Sequence, residues 1–162
     1  MEFETRAIHD GQEPDPATGA VITPIYQTVT FAQEEVGKNK GYDYSRVANP
    51  TRTALETALA SLEGAAHGIA FSSGLGATTT VMHLVSPGQR VVLIADVYGG
   101  VYRMTSKVYE PKGYRFTYVP ADEFDDNLAS YLDDDVALVW VETPTNPLLN
   151  VVDIRRAAAR RA

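Results

Sequence analysis

From residue 68 onward, short apolar runs alternate with segments of helical spacing, and that alternation constrains the fold more than any other feature of the chain. The runs Gly68 to Phe71, Arg90 to Ala95, Arg115 to Val119 and Val136 to Val141 predict buried strands. Between them, Gly74 to Val85, Gly100 to Tyr109 and Glu123 to Tyr131 predict helices, and Asp153 to Arg161 begins another. Alternation of this kind implies parallel strands joined by right-handed crossovers, with helices covering the sheet. The expected fold class is α/β, a mostly parallel sheet with flanking helices. Working residues in such a sheet lie in the crevice beyond the carboxyl ends of its strands.

The front of the chain reads differently. Up to about residue 41, Pro14, Pro16, Gly19, Pro24 and Gly37 interrupt any period, and only Val21 to Phe31 looks extended. At Asn49 the pattern changes. Asn49 suits an N-cap and Pro50 the first helical position, Leu55, Leu59 and Leu62 recur at helical spacing, and Gly64 can end the helix. The expected organisation is an extended N-terminal arm over 1–48, followed by the α/β domain over 49–162. With 162 residues and 44% apolar content, the chain can build one domain with a real core.

Charge and composition exclude several function classes. A net charge of −7 argues against a nucleic-acid partner, since phosphate backbones select an excess of Lys and Arg. Arg155, Arg156, Arg160 and Arg161 read as the solvated face and last turn of a helix. No cysteine is present, so there is no disulfide, thiolate metal site or thiol nucleophile. His9, His67 and His83 are too scattered to suggest a metal site. Residues 1–10 carry acids rather than a signal-type apolar stretch, and no apolar run is long enough to span a bilayer, so a cytoplasmic protein without membrane contact is expected.

Four short motifs fall on the arm and at the strand ends. Ser72-Ser73-Gly74-Leu75-Gly76 stands at a strand-to-helix turn, where small residues let main-chain N–H groups face a phosphate or carboxylate. It has neither dinucleotide spacing nor the Lys-Ser/Thr pair of a nucleoside triphosphate loop. Asp96-Val97-Tyr98-Gly99-Gly100 follows the next strand, so Tyr98 should emerge at the same sheet edge, able to stack on a planar ring and move a proton. Arg103 lies about a turn into the following helix and suits a carboxylate. In Glu142-Thr143-Pro144-Thr145-Asn146-Pro147, two prolines stiffen a loop that presents the Asn146 amide. On the arm, Arg46 could bind a phosphate bidentately with Tyr44 assisting, and Asp43 could meet an amine-bearing substrate. Each motif taken alone also fits plain turn or surface chemistry.

As an ordered set, these motifs resemble the amino-terminal part of the cystathionine gamma-synthase and gamma-lyase family, the pyridoxal-phosphate enzymes of trans-sulfuration. The resemblance runs the length of the chain. It also takes in Thr5-Arg6-Ala7-Ile8-His9 with Gly11, Pro16-Ala17-Thr18-Gly19-Ala20, Thr23-Pro24-Ile25-Tyr26, and Tyr44-Ser45-Arg46 running into Asn49-Pro50-Thr51-Arg52. It implies the first half of the large domain of a fold type I pyridoxal-phosphate transferase, with pyridoxal 5′-phosphate as cofactor and amino acids as substrates. By the same resemblance, the Gly74 and Leu75 amides hold the cofactor phosphate, Tyr98 stacks on its ring and assists the leaving group, and Asn146 lies by the ring hydroxyl. Tyr44 and Arg46 reach the cofactor phosphate of a neighbouring subunit, making a dimer the smallest working unit. Asp43 and Arg103 contact the substrate.

The implied reaction expels a γ substituent or replaces it with a thiol, through electron-sink chemistry. Leu75 and Gly76 stand where the family commonly has Met then Ala, a mild change where main-chain groups bind. Gly100 stands where methionine gamma-lyases carry a cysteine, which disfavours that branch. The family's cofactor-bearing lysine lies past the stretch resembled here, and Lys38, Lys40, Lys107 and Lys112 do not match it. The chain alone is therefore expected to be inactive. The alternative is a non-catalytic fragment that keeps the fold and the arm as a binding or assembly module; an unrelated α/β protein binding a phosphorylated metabolite would require the ordered motifs to be coincidence.

Overall fold

The computed structural model describes residues 1–159. The chain divides into two compact units, Met1–Phe71 and the part from Ser72 onward. The first unit is organised by helix α2, Pro50–Glu63. Asn49 caps it by accepting the Thr51 N–H at 2.9 Å, Pro50 occupies its first turn, and Gly64 ends it at φ 64°, a left-handed position that favours glycine. Residues expected to be irregular include a short helix, α1, Phe3–His9. It packs on α2, where Asp10 accepts the Ser61 hydroxyl and Arg6 donates to the Ser61 carbonyl. Gly11 permits this approach, since a Cβ there would strike the Ala54 carbonyl oxygen and lie 3.0 Å from the Ala58 nitrogen.

The Val21 to Phe31 stretch forms no strand, only an isolated antiparallel bridge between Thr30 and Tyr44. Pro24 and Tyr26 within it are stitched to the start of α2 instead. Thr51 Oγ1 accepts the Tyr26 N–H at 2.9 Å and donates to the Pro24 carbonyl at 2.9 Å, while Asn49 Nδ2 donates to the Tyr26 carbonyl at 3.0 Å. Gly68 to Phe71 is likewise not a strand. Ile69 is 75% exposed, and the Ala70 N–H goes to Glu56 Oε1 at 2.9 Å. An apolar run makes a strand only beside a ladder that takes up its main-chain groups, and among the described residues none does so here.

The second unit holds a three-stranded parallel sheet in the order β2-β1-β3: β1 is Arg90–Ile94, β2 Arg115–Val119 and β3 Val136–Trp140. The register pairs Val92 with Thr117 on one side and with Val139 on the other. Central strand β1 buries Val91, Val92, Leu93 and Ile94, which explains its unbroken apolar run. Helices α3 (Gly74–Val81), α4 (Gly99–Met104), α5 (Ala121–Asn127) and α6 (Ile154–Ala158) alternate with the strands. α4 runs on into a wider π-type turn over Thr105–Tyr109, and α5 into a 3-10 turn over Leu128–Tyr131. The core joins Met82, Val97, Val101, Val119, Phe124, Leu128 and Val152 to the β1 side chains. Arg160 and Arg161 lie outside the described residues.

The amino ends of the strands carry a charge network. Arg90 Nε meets Asp135 Oδ1 at 3.0 Å, Arg90 Nη2 meets Asp133, and Arg115 Nη2 reaches Asp135 Oδ2 at 2.6 Å. Hydrogen bonding to Asp133, then to Arg90 and Arg115, holds the Asp135 carboxyl well below the usual carboxylate range.

Candidate functional site

The turn into α3 has the geometry of an anion seat. Ser73, extended at φ −159°, caps the helix by accepting the Gly76 N–H on Oγ at 3.0 Å, and its carbonyl accepts the Ala77 N–H at 3.1 Å. That leaves the N–H groups of Gly74 and Leu75 without a hydrogen-bond partner among the described residues. Gly74 and Leu75 are both exposed, and a Cβ on Gly74 would meet nothing within 4 Å. α3 lies against α4, with Thr79 Oγ1 3.3 Å from Met104 Sδ, so the helices that begin at the two turns are in contact.

The turn into α4 is held by two acids placed shortly past the strand ends. Past β1, Asp96 Oδ2 accepts the Thr145 hydroxyl, the Leu148 N–H at 3.1 Å and Asn150 Nδ2 at 3.2 Å. Past β3, Glu142 Oε2 accepts the Tyr98 N–H at 2.7 Å, while its Oε1 accepts Trp140 Nε1–H at 3.1 Å. Tyr98 stands just before α4 with its ring half exposed, available to a planar partner. The ring lies over Gly100: a Cβ there would be 2.9 Å from Tyr98 Cδ1 and 3.0 Å from Cζ, and closer still to Cε1. Arg103, exposed, folds its guanidinium back toward the start of the same helix, with Nη1 3.3 Å from where a Gly99 Cβ would stand.

The loop after Glu142 is compact. The Thr145 N–H donates to the Asn150 carbonyl at 2.9 Å, the Asn150 N–H returns to Thr145 Oγ1 at 2.8 Å, and the Val152 N–H donates to Thr143 Oγ1 at 3.1 Å. Thr143-Pro144 and Asn146-Pro147 are both cis. Thr145 is buried, and Asn146 beside it is exposed, with no side-chain hydrogen bond among the described residues. Asp96, Glu142, Thr145 and Asn150 are the residues that sequence reasoning missed as builders of this edge. The available signal was an acid immediately after each of two predicted strands.

Asp43, Tyr44 and Arg46 belong to the first unit. The Arg46 guanidinium stacks 4.7 Å from the Tyr44 ring centroid, so these two candidates do come together. Asp43 Oδ1 accepts the Tyr44 N–H at 2.7 Å. Arg52 braces the segment from α2, donating from Nη2 to the Val47 carbonyl at 2.5 Å and from Nη1 to the Ser45 carbonyl at 3.4 Å. Among the described residues, no cluster of His, Cys, Asp and Glu could hold a metal ion, and no helix is long and apolar enough to cross a membrane.

The second unit is thus a parallel α/β layer with exposed polar turns before α3, before α4 and after β3, an architecture suited to a phosphorylated, planar ligand. Residues 4–161 match the family model described as Cys/Met metabolism PLP-dependent enzyme. The chain is 49% identical over 152 residues to a probable cystathionine gamma-synthase of Herpetosiphon aurantiacus, a match covering 94% of this chain and 47% of that protein. It is 46% identical over 158 residues to a cystathionine beta-lyase of Coxiella burnetii, covering 96% of this chain and 40% of the relative. The crystal structure of metB from Corynebacterium glutamicum superposes with a TM-score of 0.90 at 43% identity, covering 99% of this chain and 42% of that one. The chain spans less than half the length of these relatives. It belongs to the Cys/Met metabolism family of pyridoxal-phosphate-dependent enzymes, and pyridoxal 5′-phosphate is that family's cofactor.

Proposed function

We propose that this chain supplies cofactor-facing turns of a trans-sulfuration enzyme acting at a γ-carbon, either replacing the γ substituent of an activated homoserine with cysteine or eliminating it from cystathionine. The observation that carries the reading is the pair of unclaimed N–H donors at Gly74 and Leu75, exposed at a helix start. They suit the cofactor's phosphate. The half-exposed Tyr98 ring suits its pyridine, and the free Asn146 amide suits the ring hydroxyl. When bound, pyridoxal phosphate supplies the electron sink for deprotonation at the substrate α-carbon.

On this reading the Tyr98 hydroxyl hands a proton to the departing group, and Arg103 holds a substrate carboxylate. Arg46, stacked on Tyr44, offers its guanidinium edge to the cofactor phosphate of a second copy, and Asp43 faces the substrate amine. Sharing residues in this way requires self-association. The test is titration of the chain with pyridoxal phosphate, followed by borohydride treatment and peptide mapping. Saturable binding weakened by Tyr98→Ala, with no borohydride-fixed adduct on Lys38, Lys40, Lys107 or Lys112, supports the reading. A fixed adduct on one of those lysines, or binding indifferent to Tyr98, overturns it.

A further inference from the structure

We infer that Glu142 and Gly100 are positioning residues for Tyr98, one fixing its main chain and the other vacating the space its ring occupies. The inference rests on the proposed role of Tyr98 at the cofactor. Glu142 offers one carboxylate oxygen to each of two donors that come from different elements. Oε2 takes the Tyr98 N–H at 2.7 Å, and Oε1 takes the Trp140 indole N–H at 3.1 Å. Trp140 ends β3 and packs on the core, so the carboxylate is referenced to the sheet and passes that reference to the residue before α4. Only an acceptor with two free oxygens can serve both donors. A glutamine in the same place turns an N–H₂ group toward one of them.

Gly100 completes the brace from the other side. It is buried inside α4, where glycine is a poor helix former, and nothing about its helical conformation requires glycine. What glycine leaves room for is the Tyr98 ring, which lies where a side chain would begin. A Cβ at position 100 would make the ring shift from the place it holds in this structure. The phenol direction is thus set by a bond to its own peptide N–H and by an absence two residues on.

The test uses the full chain and two readouts. Trp140 is the only tryptophan, so its indole N–H gives a single resonance that reports the Glu142 contact, and the Gly100 α-protons report the ring above them through an upfield ring-current shift. In Glu142→Gln, the indole resonance should move and the Gly100 shift should shrink. Tyr98→Ala should abolish that shift, and Tyr98→Phe should keep it. Added pyridoxal phosphate should bind about tenfold more weakly to Glu142→Gln and to Gly100→Ala, with Glu142→Asp recovering part of the loss. Dispersed amide spectra establish that each variant is folded. An unshifted indole and an intact Gly100 shift in Glu142→Gln would refute the brace. Should Tyr98→Ala leave cofactor affinity untouched while the resonances behave as stated, the cofactor role of Tyr98 fails and the brace stands.

Discussion

Asp96 is the residue whose removal should most disturb the loop that carries Asn146. Its Oδ2 collects the Thr145 hydroxyl, the Leu148 N–H and Asn150 Nδ2, tying the turn after β1 to the turn after β3. A hydrogen bond to a charged acceptor contributes about 1.5–3 kcal/mol. The three do not add, because Leu148 is exposed and Asn150 half-buried, so their freed donors find water. Thr145 is 1% exposed, and its hydroxyl would lose its only acceptor inside the loop while still receiving the Asn150 N–H. Asp96→Ala should therefore cost about 2–4 kcal/mol, and Asp96→Asn, which keeps an acceptor oxygen without the charge, about 1 kcal/mol. Urea unfolding followed by Trp140 fluorescence measures both, with a midpoint drop of about 1–2 M expected for the alanine variant at an ordinary urea slope. An alanine variant within about 0.5 kcal/mol of the parent would show that the loop holds itself and that Asp96 is not its anchor.

Phe124→Ala, which empties a side chain of zero exposure in the core beside β1, should cost about 3–5 kcal/mol in the same unfolding measurement. Asn49→Ala removes the α2 cap and the tie to the Tyr26 carbonyl; a loss of about 1 kcal/mol is expected, with faster proteolysis of the first unit. Because the Asp135 carboxyl is held below its ordinary range, its contribution is fully present above about pH 4 and is lost as pH falls toward its folded-state value. Asp135→Asn should accordingly flatten the fall of the urea midpoint on acidification below that pH, and an unchanged profile would refute the role of the network.

The strands that pair were legible because each is an apolar run bounded by turns, and all three fall within a residue of their expected limits. Gly68 to Phe71 is also a short apolar run and still forms no strand, since such a run does not say whether a ladder lies alongside. α1 lacks a local signature: Glu2 gives it no side-chain cap, and it is held by α2 rather than by its own pattern. The strand order β2-β1-β3 is a tertiary fact that no local run records. The turns carrying Gly74, Tyr98 and Asn146 stand out by residue type, whereas the acids that support two of them do not. Asp96 and Glu142 act on main-chain donors far along the chain, and sequence does not announce such distant pairings.

The sheet keeps its two ends apart. Arginines and aspartates grip the strands where they begin, and the polar turns open where β1 and β3 finish. Strengthening the ionic grip should harden the molecule while leaving ligand selectivity unchanged, and reshaping the far rim should redirect selectivity with little loss of rigidity. Variation could then explore new chemistry at one end without gambling the scaffold at the other.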